Sequence, residues 1–156
     1  MAGDIDKRLS QLSIELPNPS VPAANYVPFV RSGALVFVAG QVSQWNGERR
    51  HKGKVGETLG VDEAYAAARL CGLNLLAHLR VACDGDLDRV KRVVRLGGFV
   101  NSAPDFADQP KCVNGASDLM VEVFGKEIGT HARAAVGVAS LPGGVAVEVD
   151  GVFEIG

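Results

Sequence analysis

Nine residues, Val61, Ala64, Tyr65, Ala68, Cys71, Gly72, Leu75, Leu76 and Leu79, recur at i, i+3 and i+4 spacing. That spacing puts them on one stripe of a single long helix. Such a stripe is stable only when packed against another apolar surface. The chain supplies one directly afterwards, because residues 90–100 are rich in β-branched side chains and read as a strand. Gly60 suits the helix N-cap, while Asp62 and Glu63 suit the positive end of its dipole. Cys83-Asp84-Gly85-Asp86 ends it. Gly97-Gly98 within the strand predicts a bulge or a close approach of backbone.

The remaining elements follow from the same two periodicities. Residues 35–39 are a continuous apolar run ending at Gly40, a buried strand, and Asn46-Gly47 marks a turn. A second helix is expected over 114–124, with Ala116, Leu119, Met120, Val123 and Phe124 inward and Gly125 and Gly129 at its end. Two strands, 133–141 and 145–155, are joined by Pro142-Gly143-Gly144 and read as a tight hairpin. Near the start, Ile5, Leu9 and Leu12 mark a short amphipathic helix that Pro17, Pro19 and Pro22 bring to a stop. The resulting order predicts an α+β fold: an antiparallel-rich mixed sheet with two helices on one face. Valines on both sides of the last strands predict that the outer face packs against other subunits.

At 156 residues the chain is expected to form a single domain, with 1–22 as an N-terminal extension. A net charge of −2 gives no basis for a nucleic-acid partner. Two local basic clusters, Arg49-Arg50-His51-Lys52 with Lys54, and Arg89, Lys91, Arg92 and Arg95, read as a solvated loop and outer strand positions rather than phosphate sites. Three cysteines are an odd number: Cys71 falls on the helical stripe, Cys83 near a helix end and Cys112 in a loop. With the three histidines they show no metal-ligand spacing, so neither a disulfide framework nor a metal centre is expected. No apolar run approaches a membrane span, and a cytoplasmic location is the expectation.

Arg133 and Glu148 stand out because they lie in strands otherwise built of Ala, Val, Gly and Leu. A charge in such a strand needs a partner or a ligand. For Arg133 this is a carboxylate ligand held by the guanidinium fork, or a structural ion pair with Glu148, Asp150 or Glu154. If Gly143-Gly144 forms a two-residue turn, Ala139 opposes Glu148 and Arg133 opposes Glu154. Arg133 and Glu148 are then about 20 Å apart at ~3.4 Å per residue. A shared site must in that case lie between subunits.

The stretch 131–142, His-Ala-Arg-Ala-Ala-Val-Gly-Val-Ala-Ser-Leu-Pro, followed by Val147-Glu148-Val149-Asp150, resembles the C-terminal signature of the Rid (YjgF-like) family. Asn25-Tyr26-Val27, the strand ending Ala39-Gly40-Gln41, and Val113-Asn114 are similar to further family segments, so the resemblance runs from about Ala23 to the end. It implies a chorismate-mutase-like fold, a homotrimer and ligand clefts at subunit interfaces. It also implies hydrolytic deamination of 2-enamine or 2-imine acids to 2-keto acids and ammonia, without a cofactor. By match, Arg133 anchors the substrate carboxylate and Glu148 orients the water as acid/base. The Gly40 and Ala135 backbones line the pocket, and Tyr26 and Asn114 lie near the substrate.

The chain departs from that pattern at three places. Ala134 and Ala135 follow the arginine where many members carry Ser or Cys, and Ala39 stands where a serine is common. These changes remove hydroxyl and thiol contacts. A non-catalytic trimer that binds small carboxylates such as keto acids in a regulatory role is therefore the alternative expectation. A ribonuclease is disfavoured by the acidic balance and the lack of an aromatic and basic platform. His131, two residues from Arg133, shares its strand face and either enters the site or, the preferred reading, is a surface or packing histidine.

Overall fold

The computed structural model describes residues 2–22 and 24–156; Ala23, where the family resemblance begins, lies outside the described residues. The apolar stripe from Val61 becomes the central helix, α2 (Val61–Ala82), preceded by α1 (Asp4–Gln11) and followed by α3 (Gln109–Gly129). Gly60 is the α2 N-cap, with Asp62 and Glu63 in the first turn. The strands are β1 (Phe29–Ser32), β2 (Leu35–Val42), β3 (Gln44–Trp45), β4 (Glu48–Arg49), β5 (Val90–Asn101), β6 (Ala132–Val138) and β7 (Val147–Ile155).

Five strands form one mixed sheet in the order β1-β2-β7-β5-β6; only the β5–β6 pair is parallel. β3 and β4 make a small separate hairpin around Asn46-Gly47. Helices α2 and α3 cover one face. Val147, Val149, Phe153 and Ile155 of β7 alternate inward and are buried against Leu75, Leu76 and Leu79 of α2 and Leu119 and Met120 of α3. Each such side chain contributes about 1.5–3 kcal/mol when fully buried. The α+β class and the helix-covered sheet expected from the sequence are what the chain adopts.

Four local expectations need correction. β1 was not anticipated: Phe29–Ser32 pairs with β2 through a turn at Gly33-Ala34, and its mostly exposed edge position weakens the periodic signal. Helix α3 begins five residues earlier than expected, with proline in its first turn, and so takes Cys112 out of the predicted loop. Gly97-Gly98 carries no bulge, and of the two expectations it is the close approach that holds: a β-carbon at Gly98 would fall 2.5 Å from the Val113 side chain of α3. The register shifts of β5 fall at Val90/Arg92 and Val93/Arg95 instead.

The fourth concerns the closing strands. β6 and β7 do not form a hairpin; each pairs with β5, from opposite sides. The reason is topological. α3 carries the chain from the end of β5 back to the start of β6, the crossover that parallel neighbours require. That leaves the other edge of β5 for β7. Leu141 to Gly144 forms a β-turn in the wide connection between them, closed by the Gly144 N–H donating to the Leu141 carbonyl at 3.0 Å. In the true register Arg133 is level with Leu96, and Leu96 with Gly151. Three residues along and two strands across, the backbones of Arg133 and Glu148 are about 14 Å apart by standard sheet spacings.

Candidate active site

The sheet separates the sequence-identified residues into two groups, one on each face. Arg133 points to the helix side. Its Nη1 donates to Asn114 Oδ1 at 2.8 Å and to Ser117 Oγ at 3.1 Å, and its Nη2 reaches the Pro110 carbonyl at 3.4 Å. Asn114 and Ser117 both project from α3, near the sheet edge where β6 lies. Three of the guanidinium's five N–H donors are thus engaged, and two remain for a ligand. None of Glu148, Asp150 and Glu154 pairs with it among the described residues, so the expected structural ion pairs do not form. Ala135, two residues along the same strand, is partly buried against the core.

His131 belongs to this group. Its Nδ1 lies 2.7 Å from the Gly129 carbonyl and its Nε2 2.9 Å from Ser117 Oγ. A carbonyl only accepts, so Nδ1 carries the proton. Nε2 then accepts from the Ser117 hydroxyl, whose oxygen accepts from Arg133. Burial, with the charges of Arg133 and Arg92, holds the imidazole below its usual pKa and hence neutral. His131 is thus a packing residue that also aligns the arginine.

Glu148, Tyr26 and Gly40 meet on the other face. They line a cavity of about 280 Å³ together with Ser20, Arg49 and His78. The carboxylate of Glu148 has no hydrogen bond or ion pair among the described residues. Desolvation, with the neighbouring charge of Asp150, pushes its pKa up from the usual carboxylate range. A β-bulge sets the geometry: between Val38 and Gln41, β2 carries one more residue than β7. The bulge brings Gly40 against Glu148, so that a β-carbon at position 40 would fall 2.6 Å from Oε2. Gln41 braces the bulge by donating to the Ala39 carbonyl at 3.0 Å.

The N-terminal segment closes this cavity. Ser20 Oγ lies 3.1 Å from Gln41 Oε1 and 3.0 Å from His78 Nε2. Its single proton goes to the Gln41 oxygen, which makes His78 Nε2 the donor to Ser20. His78 is 2% exposed, and burial lowers its pKa, keeping it neutral. Ser20, Gln41, Arg49, His78 and Ser117 were not singled out as site residues from the sequence. A signal for His78 existed: with Asn74 it forms an i, i+4 polar pair on a helix face that is otherwise buried and apolar.

Beside this cavity the outer face of the sheet forms a broader depression of about 810 Å³. Tyr26, Val27, Val30 and Phe37 are exposed along it. Among the described residues, no group of three or more His, Cys, Asp or Glu could hold a metal ion, and no helix is long and apolar enough to cross a membrane. All three cysteines are buried and free.

Residues 6–147 match the family described as "YjgF/chorismate_mutase-like, putative endoribonuclease". Protein TCP17 of Trypanosoma cruzi is 49% identical over 154 residues, covering 99% of this chain and 96% of that protein. The crystal structure of protein Atu1372 from Agrobacterium tumefaciens superposes with a TM-score of 0.88 at 46% identity, over 97% of this chain and 93% of that one. E. coli TdcF with bound serine shares the fold at a TM-score of 0.60 and 22% identity, over 90% and 94% of the two chains.

Proposed function

We propose that this chain, which belongs to the YjgF/chorismate-mutase-like family, hydrolyses reactive 2-enamine or 2-imine acids of the 2-aminoacrylate type. The products are 2-keto acids and ammonia, and the sites lie between the subunits of a homotrimer. One observation carries this reading. Arg133 is oriented with two donors to spare on one face of the sheet, and Glu148 lies without a partner on the other. A second copy of the chain is the simplest way to bring the two charges to one ligand. The apolar depression beside Glu148 gives such a copy a surface to cover.

In this scheme Arg133 of one subunit grips the substrate carboxylate through its free N–H groups. The enamine, protonated at carbon, becomes the imine. A water adds its oxygen to the imine carbon as Glu148 takes its proton. That proton passes to nitrogen to give the carbinolamine; Glu148 then carries the hydroxyl proton to nitrogen as the carbonyl forms, the C–N bond breaks and ammonia leaves. The raised pKa of Glu148 suits a group that must both accept and return a proton. Positioning and one general acid/base suffice for this chemistry, and neither metal nor cofactor enters it. TdcF with bound serine shows a small amino acid held by a protein of this fold, which supports a ligand of that size.

The endoribonuclease wording of the family description finds less support here. In the second basic cluster Arg89 bonds Asp84, Arg92 bonds the Thr130 carbonyl and Arg95 pairs with Asp150, so these cations are engaged within the fold. The competing reading is a trimer that binds small carboxylates without turnover, favoured by Ala39, Ala134 and Ala135 in place of polar residues.

The test is release of ammonia and 2-keto acid from imines generated in situ by an amino-acid oxidase, comparing wild type with Arg133→Ala. Acceleration that disappears in the variant supports the deaminase. No acceleration across neutral and acidic amino acids, with keto-acid binding retained, moves the assignment to the binding trimer.

A further inference from the structure

Arg49 sits at the cavity that holds Glu148, and the fold makes no internal use of its charge. Two of its neighbours in the same basic run are engaged, whereas the side chains of His51 and Lys52, which do not line this cavity, make no bond among the described residues. Arg50 lies 3.6 Å from Glu48 and stacks over Trp45 at 5.9 Å from the ring centre. Lys54 donates to Asn101 Oδ1 at 2.7 Å and to the Ala139 carbonyl at 2.6 Å. Arg49 has neither a hydrogen bond nor an ion pair among the described residues.

Its guanidinium is nevertheless seated. It rests against Gly143, where any β-carbon would collide with Nη1. Gly143 has φ 67° and ψ 8°, a left-handed conformation that Asn and Asp also adopt. The backbone there favours glycine, or at some cost asparagine, and a side chain at 143 would also have to push the exposed Arg49 guanidinium aside. Pro142 of the same turn lines the cavity as well. The Pro-Gly-Gly turn, which does not close a hairpin, instead holds an arginine at the entrance of a polar pocket.

A planar guanidinium with free N–H groups is a receptor for carboxylates. Arg133 of the same chain lies on the opposite face of the sheet and cannot share this role within one subunit. We propose that Arg49 binds a second acidic group on the ligand, so that the site prefers dicarboxylic imines and keto acids of four or five carbons over those with neutral side chains. The proposal rests on the reading above, which puts the reacting carbon beside Glu148. A diacid held next to that glutamate requires two cations. A neighbouring Arg133 serves the 2-carboxylate and Arg49 the distal one. A cavity of about 280 Å³ lies just below the usual range for ligand sites, about 300–1,000 Å³, which favours a ligand of few carbons.

The experiment compares 2-oxoglutarate with 2-oxopentanoate by calorimetry, and imines generated from glutamate with those from norvaline by turnover. Wild type, Arg49→Met and Gly143→Asn are measured in parallel. The expected result is an acid-over-neutral preference of about ten- to a hundredfold, the range of one charge-assisted contact. That ratio should collapse toward one in both variants. Gly143→Asn retains the charge of Arg49 but unseats it, so its collapse identifies position as well as charge. No preference in wild type, an unchanged ratio in Arg49→Met, or an equal loss for both ligands overturns the proposal; the last would make Arg49 the general carboxylate anchor. Because binding is read separately, tight 2-oxoglutarate binding without turnover sinks the deaminase reading and leaves this one standing. Turnover without acid preference does the reverse.

Discussion

Arg133 and Glu148 are both charges set in apolar strands, and the fold treats them in opposite ways. The arginine is held from α3 by an amide, a hydroxyl and a carbonyl, with a neutral histidine fixing the hydroxyl. The glutamate is left without a partner, half-buried against a glycine. The contrast separates two tasks. A group that must hold a ligand in place gains from being immobilised beforehand, since its own ordering is then complete before binding. A group that must exchange a proton gains from a pKa moved toward working pH, and partners that fix its charge would work against that.

The comparison can be broken most decisively at Glu148. Glu148→Gln should lower turnover by about 10²–10⁴-fold, the range of one general acid/base, while keto-acid binding survives. The same variant should raise Tm at neutral pH. A carboxyl whose folded pKa is raised binds protons more readily folded than unfolded, so its ionised form destabilises the fold as pH climbs above the ordinary glutamate value. The gain in Gln should therefore fade below about pH 4. A thermal melt at pH 7 and pH 4 reads both. A lower Tm for Gln at pH 7 would mean that Glu148 has a partner after all.

Arg133→Ala comes next. Removing the carboxylate grip should reduce kcat/KM by roughly 10²-fold or more, with loss of keto-acid binding. Unaltered binding would show that the ligand is anchored elsewhere. Gly40→Ala sharpens the comparison on the other face. Its β-carbon would displace the Glu148 carboxylate, and a shift of about 1 Å can cost on the order of 10²-fold. Turnover should fall while the Arg133-dependent binding of keto acids remains.

The smallest expected effect is at His131. His131→Ala should raise KM a few-fold by freeing the Ser117 hydroxyl, with kcat nearly intact. Its folded pKa is lowered, so the fold disfavours the protonated ring, and stability should fall as pH drops below the ordinary histidine value of about 6.5. The variant should lose that part of the acid sensitivity. His78, depressed in the same direction, will retain its own share.

Much of this was legible in the chain because it depends on neighbours in sequence. The α2 stripe, the turn at Asn46-Gly47, the β-branched run of β5 and the two anomalous charges are local patterns, and each appears where its pattern placed it. The rise in the Glu148 pKa was not fixed by the sequence, since desolvation among valines raises it only where Arg133 is too far away to oppose that. What failed was the hairpin of 133–155. Adjacency in sequence favours pairing β6 with β7, but α3 had already committed β5 and β6 to a parallel pair.

Three of the residues missed at the site share one trait. Ser20, Arg49 and His78 come from an N-terminal strap, a short hairpin and the C-terminal part of α2. No periodicity links them; only the folded chain brings them round one cavity. The sequence alone determined the long helices and strands apart from some of their ends, though not the edge strand β1, and it showed which faces are apolar and which two charges are out of place, because side-chain chemistry and local backbone preference act over a few residues. Strand order, the division of Arg133 and Glu148 between opposite faces, and the seating of Arg49 on Gly143 were decided by tertiary structure. Those depend on pairings between residues far apart in the chain, chosen by which arrangement buries the apolar faces together.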